Sequence, residues 1–145
     1  REIPLEKFYL GYRQTAMKPN EMIVAIRFDI PQKNEIIKLR KSSQRKDLDI
    51  SCVNVGFRLS MTENKIADFK ISMGGVAATP LRLSKTENAL RGKIWNEKLL
   101  PELISQVQSE INPISDLRGS SSFRRLLVEN LLTQFHQEVL RGVCP

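Results

Sequence analysis

The hydrophobic period of this chain changes at Pro80, and few architectures accommodate such a change. Before Pro80 the apolar residues alternate. In "ISCVNVGFRLSM" (residues 50–61), Val53, Val55, Phe57 and Leu59 interleave with Cys52, Asn54, Gly56 and Arg58, which predicts a strand with one buried face. "TENK" then reads as a hairpin turn, and "IADFKISMGG" as the next strand, ending on two glycines. Two earlier runs read as strands as well. "EMIVAIRFDIP" (residues 21–31) alternates at Ile26, Phe28 and Ile30 and stops at Pro31, while "EIIKLRKSS" is a weaker candidate. The first 20 residues predict an irregular arm with one turn of helix at Leu5 to Tyr9.

After Pro80 the spacing becomes helical. "SKTENALRG" places Ser84 as an N-cap with Glu87 three residues on and Gly92 just past the end. "NEKLLPELISQVQSEI" puts Leu99, Leu100, Leu103, Ile104, Val107 and Ile111 on one face, with Asn96 as cap and Pro101 confined to the first turn. "SSSFRRLLVENLLTQFHQEVL" repeats Phe123, Leu127, Leu131, Phe135 and Val139 every four residues, widened by Val128 and Leu132. Strands first and helices afterwards is the α+β order. The expected fold is a mostly antiparallel sheet of three or four strands followed by three helices packed on one face, in a single domain over residues 1–145.

The formal charge of +7 raises a nucleic-acid reading, but aromatic residues make up only 6% of the chain and none interleave with the basic residues. The excess reads instead as an aid to solubility, or as a match for an acidic neighbour, with no nucleic-acid partner expected. Cys52, Cys144 and His136 are too dispersed for a metal site or a disulfide framework, so no metal ligands are expected and a reducing, cytoplasmic setting is. No apolar run reaches the roughly 18 residues that span a bilayer, so no membrane partner is expected. The chain opens on Arg1 without a methionine, which suggests a processed piece or a fragment.

Candidate chemistry is sparse. His136, beside Phe135 in the last helix, reads as a surface or boundary residue, and Cys52 as a small buried apolar group. "GGVAATP" (residues 74–80) lacks a GxGxxG pattern or a Walker lysine and reads as a turn. Asp47 and Asp49 sit among Arg40, Lys41, Arg45 and Lys46, a setting for ion pairing and not acid–base work. From Lys33 to Lys46 there are six cations against one acid, Glu35. Two readings of that run stay open: a strand edge guarded by lysines, or a patch for an anionic ligand such as a nucleotide cofactor. No catalytic residue stands out.

Four phrases taken in order carry more. "FYLGYRQTAMKPNEMIVAIRFDIP", "RKSSQRKDLDIS", "GGVAATPLRLSKTENALRGKIWNE" and "DLRGSSSFRRLLVENLL" together resemble the C-terminal domain of molybdenum-hydroxylase flavoproteins. These are the FAD-binding subunits or domains of xanthine dehydrogenases and of carbon monoxide dehydrogenase, and "GYR-T-P-E-I" and "G-S-FRR-L-NLL-F" look most like the xanthine dehydrogenase group. The resemblance implies the same α+β order. It also implies a missing N-terminal FAD-binding part whose glycine-bearing loops hold the pyrophosphate. "RKSSQRKDLDIS" would lie beside the isoalloxazine ring, near the approach of nicotinamide. Lys41 falls at a flavin-contacting lysine and Ile23 near an aliphatic position that packs on the cofactor, while Arg45, Lys46, Asp47 and Asp49 place both signs of charge where they can tune it. The aromatic residue that commonly precedes the lysine is Arg40 here.

The implied parent oxidises a purine at a molybdenum cofactor in a partner subunit or domain, passes electrons through 2Fe–2S clusters to FAD, and reduces NAD. This chain alone would then be inactive. The rival reading is a non-catalytic binding or scaffolding module of the same fold.

Overall fold

The computed structural model describes residues 1–45 and 49–142; Lys46, Asp47 and Cys144 lie outside them. An N-terminal arm carries one 3-10 turn, Leu5–Lys7, and a small hairpin of β1 (Tyr9–Gly11) and β2 (Gln14–Thr15). The main sheet follows as β3 (Glu35–Ser42), β4 (Val53–Thr62), β5 (Lys65–Gly74) and β6 (Leu81–Arg82), each antiparallel to its neighbour and in that spatial order. Three helices complete the α+β fold: α1 (Ser84–Leu90), α2 (Leu99–Glu110) and α3 (Ser121–Leu140).

The β4 alternation does what its period requires. Val53, Val55, Phe57 and Leu59 are buried, and the register sets Val55 opposite Met73 and Phe57 opposite Ile71 on β5. Glu63 and Asn64 both take positive φ, which matches the tight turn to the twist of its flanking strands. All three helices cover this one face, α3 across β3 and β4, α1 on β5, and α2 against both helices. Phe135 of α3 stacks on Phe57 with ring centroids 4.1 Å apart, and Trp95 meets Phe69 edge-on at 5.6 Å. Aromatic pairs of this kind add about 0.5–1.5 kcal/mol each beyond the area they bury.

Four expectations are corrected. Residues 21–31 form no strand: the segment joins no sheet, because alternation prescribes a pleated face and cannot supply a partner. The sheet takes its fourth strand from β6 instead. On α3, Phe123 is exposed and Leu127 and Leu131 lie at the margin, while Val128, Leu132, Phe135 and Val139 line the core. A strict spacing of four drifts around a helix of 3.6 residues per turn, so the stripe crosses from margin to core. Ser84 does not cap α1; the Glu110 carboxylate on α2 accepts from the N–H groups of Lys85 and Thr86, at 3.1 and 2.9 Å.

His136 is not at the surface. It is 1% exposed, stacked on Trp95 at 5.2 Å, with Nε2 2.9 Å from the Asn96 carbonyl. That oxygen can only accept, so Nε2 donates. Burial holds the imidazole below its ordinary pKa, opposed in part by the bond to Asn96 and by Glu97.

Candidate functional site

The cationic stretch straddles the end of β3 and the connection to β4. β3 is the outer strand of its sheet, as a lysine-guarded edge requires, and its last residues pair Lys41 with Asn54 and Ser42 with Val53. Alternation turns Arg40 and Lys41 to opposite sides. Arg40 goes to the helical side, where its Nη2 donates to both carboxylate oxygens of Glu138 at 2.7 Å. Arg40 is therefore fastened to α3. Lys41 faces away from the helices.

Beyond Ser42 the chain folds on itself. The Cys52 N–H donates to the Ser42 carbonyl at 2.8 Å and closes the loop's base. Asp49 closes its interior: one carboxylate oxygen accepts from the Arg45 N–H and the other from the Ile50 N–H, both at 2.8 Å. The Asp49 carbonyl accepts from Lys41 Nζ, and the Ser43 hydroxyl donates to the Arg45 carbonyl at 2.8 Å. The Arg45 N–H, ahead of the other contributors, holds the Asp49 carboxyl below the usual carboxylate range. Lys41, Arg45 and Asp49 are thus brought together. The Arg45 side chain and Ile50, 63% exposed, are left facing outward. Ile23 lies on the arm, and none of the bonds that build the loop involves it.

The loop leans on the connection between α2 and α3. Gln44 Nε2 and Cys52 Sγ both donate to the Arg118 carbonyl, at 3.1 and 3.0 Å. Beneath them sits Arg124, 3% exposed on α3. Its Nη1 donates to the carbonyls of Cys52 and Gly75, the latter at 2.9 Å, and its Nη2 to Asp116 Oδ1 at 2.7 Å. One guanidinium thus ties the residue before β4, the residue after β5 and the connection leading into α3. The Arg118 N–H first, and Arg124 next, keep Asp116 below its ordinary pKa. Reading by pattern passed over Arg124 inside "FRRLL". Its signal was present, since it stands four residues before Val128 and eight before Leu132, on the core stripe.

The two glycines of "GGVAATP" are shaped by this clamp. Gly75 has φ +80°, and a Cβ there would stand 2.2 Å from the Cys52 carbonyl oxygen. The bare backbone is filled by protein, so it cannot cradle a phosphate. The uncovered face of the sheet holds a shallow depression of about 250 Å³ over Ile37, Leu39, Gly56, Arg58, Lys70 and Arg82. Its Arg58 and Arg82 are already paired, with Glu35 and Glu87. Among the described residues no group of three or more His, Cys, Asp or Glu side chains is placed to hold a metal, and no helix is long and apolar enough to cross a membrane. What the loop offers chemically is a fixed display of charge and one aliphatic side chain.

Residues 38–139 match the family described as the CO dehydrogenase flavoprotein C-terminal domain. Xanthine dehydrogenase 1 of Arabidopsis thaliana is 34% identical over 99% of this chain, which spans 11% of that protein. The glyceraldehyde dehydrogenase medium chain of Sulfolobus acidocaldarius is 31% identical over 96% of this chain, which spans 49% of it. Among solved structures, carbon monoxide dehydrogenase from Hydrogenophaga pseudoflava superposes with a TM-score of 0.85 at 22% identity, covering 92% of this chain and 46% of that one.

Proposed function

Since this chain belongs to the CO dehydrogenase flavoprotein C-terminal domain family, the C-terminal region of the FAD-binding part of molybdenum hydroxylases, we propose that it forms one wall of a flavin site in a larger oxidoreductase. The β3–β4 loop carries this reading. It presents Ile50 and Arg45 on a backbone closed by Asp49, a surface that fits a flat ring with an electron-rich edge. Lys41, Arg45 and Asp49 would flank the ring and Ile23 would pack on it. The diphosphate is held elsewhere, because the glycine pair here is filled by Asn54 at Gly74 and by Cys52 and Arg124 at Gly75. When bound, FAD supplies the exchange between one-electron donors and a two-electron acceptor.

This chain's own residues position and shield; none takes or gives a proton in the reaction. Arg45 and Lys41 set the local potential, and a cation near the ring favours its reduced, anionic form. The iron–sulfur and molybdenum components are partner subunits or domains, NAD takes the electrons, the substrate is a purine and the assembly is cytoplasmic. The similarity to xanthine dehydrogenase 1 supports the purine assignment. The test is to purify the full polypeptide and compare its FAD absorbance and reduction potential with those of Arg45→Gln. A lower potential in the variant is expected. An intact, folded polypeptide that carries no flavin would remove the proposal.

A binding or scaffolding module of the same fold is the second reading. One observation favours it: within the loop Lys41 Nζ is bonded to the Asp49 carbonyl, and the Asp49 carboxylate to the Arg45 and Ile50 N–H groups, which leaves less of either charge for a ligand.

A further inference from the structure

Residues 22–30 have the side-chain period of a strand but belong to no strand or helix. Met22, Val24, Ile26, Phe28 and Ile30 fall on one side by that period and are 71–87% exposed. No N–H from Met22 to Ile30 donates a hydrogen bond among the described residues. The segment is nonetheless held at both ends and in the middle. Glu21 pairs with Arg1 and accepts from the Lys18 N–H, Arg27 pairs with Glu2 at 2.7 Å, and Glu35 accepts from the Gln32 N–H. A row of unbonded N–H groups beside an apolar, strand-spaced set of side chains is a strand lacking its sheet.

The size of the relatives indicates what covers it. The family match begins at Lys38, so this segment lies outside the domain that the match defines. The structural match covers 92% of the chain, a share too large for the residues after Asn34 alone, so the arm belongs to the shared fold. More than half of that related chain lies outside the match and is available to pack on the arm. We propose that residues 22–30 add as a strand to the edge of a sheet in the FAD-binding part beyond this chain. Main-chain bonds supply the affinity, and the face of Met22, Val24, Ile26, Phe28 and Ile30 sets the register. This rests on the reading of the chain as one part of a flavoprotein.

Hydrogen exchange followed by mass spectrometry, on the full encoded polypeptide and on this 145-residue chain, tests it. The amides of residues 22–30 should exchange about a hundredfold more slowly in the full polypeptide. Fast exchange there, in protein that carries FAD, overturns the inference and leaves the flavin reading standing. Slow exchange in protein without FAD upholds the strand and removes the flavin reading. Protection in the short chain that rises with concentration, alongside a dimeric mass, would show a second copy as the occupant and overturn the inference. Concentration-independent protection in the short chain would place the segment on its own β3 edge, with the same consequence.

Discussion

Arg124 reaches back 72 residues to hold the Cys52 carbonyl while its other terminal nitrogen grips Asp116 at 2.7 Å. Through these two bonds a helix fixes where a strand begins, and so fixes the loop that precedes that strand. Replacing Arg124 by methionine keeps the aliphatic bulk and strands three buried or half-buried acceptors. We expect a loss of about 3 kcal/mol, read from the urea midpoint. Arg124→Lys should recover only part of it, because an ammonium cannot fork between two directions. Equal midpoints for wild type and methionine variant would show the clamp to be incidental.

Gly75 and Gly92 both adopt positive φ, but only Gly75 has a neighbour where a Cβ would stand. Gly92→Ala should cost about 1 kcal/mol from backbone conformation alone. Gly75→Ala must also displace the Cys52 carbonyl and should cost at least twice that. Thermal unfolding of the two variants side by side checks the order.

The buried His136 makes stability depend on pH in a predictable direction. Its folded pKa lies below the unfolded value of about 6.5. Below that value the unfolded chain takes up a proton that the folded chain resists, so stability is full above it and declines as pH falls. Urea midpoints at pH 8 and pH 5.5 should differ in wild type and converge in His136→Gln. A wild-type midpoint that rises on acidification would contradict this.

Asp49 holds the Arg45 amide from within the loop. In Asp49→Ala that amide should exchange about tenfold faster while the global unfolding midpoint stays unchanged. In the full polypeptide the same variant should retain less FAD. An unaltered Arg45 amide would mean that the loop is closed by other bonds.

The isolated chain should bind FAD negligibly, since the wall of contacts proposed for it does not replace a diphosphate cradle, and its own glycine pair is filled. Isothermal calorimetry showing micromolar affinity would defeat that expectation.

How much could be read in advance varied with the kind of interaction involved. β4, β5 and their turn were legible because each strand states its buried face in its own alternation. α2 and α3 were legible for the same reason at a different period. Residues 21–31 have the same alternation as β4 and remain unpaired, because pairing is a property of two segments and the alternation belongs to one. β6 was missed for the converse reason, being two residues long with no period to read. At the candidate site, Lys41, Arg45 and Asp49 were singled out by charge and are found together, whereas Asp47 lies outside the described residues. Arg124 and Asp116, which anchor the loop, were found only in three dimensions.

Local chain chemistry, then, was enough to determine β3 to β5, the three helices, their order and the one-sided packing of the helices, since each follows from spacings within about a dozen residues. Only the tertiary structure decided what Arg40, Arg124 and His136 do. Each meets a partner far along the chain, at Glu138, Cys52 and Asn96, and a one-dimensional pattern holds no record of such distances.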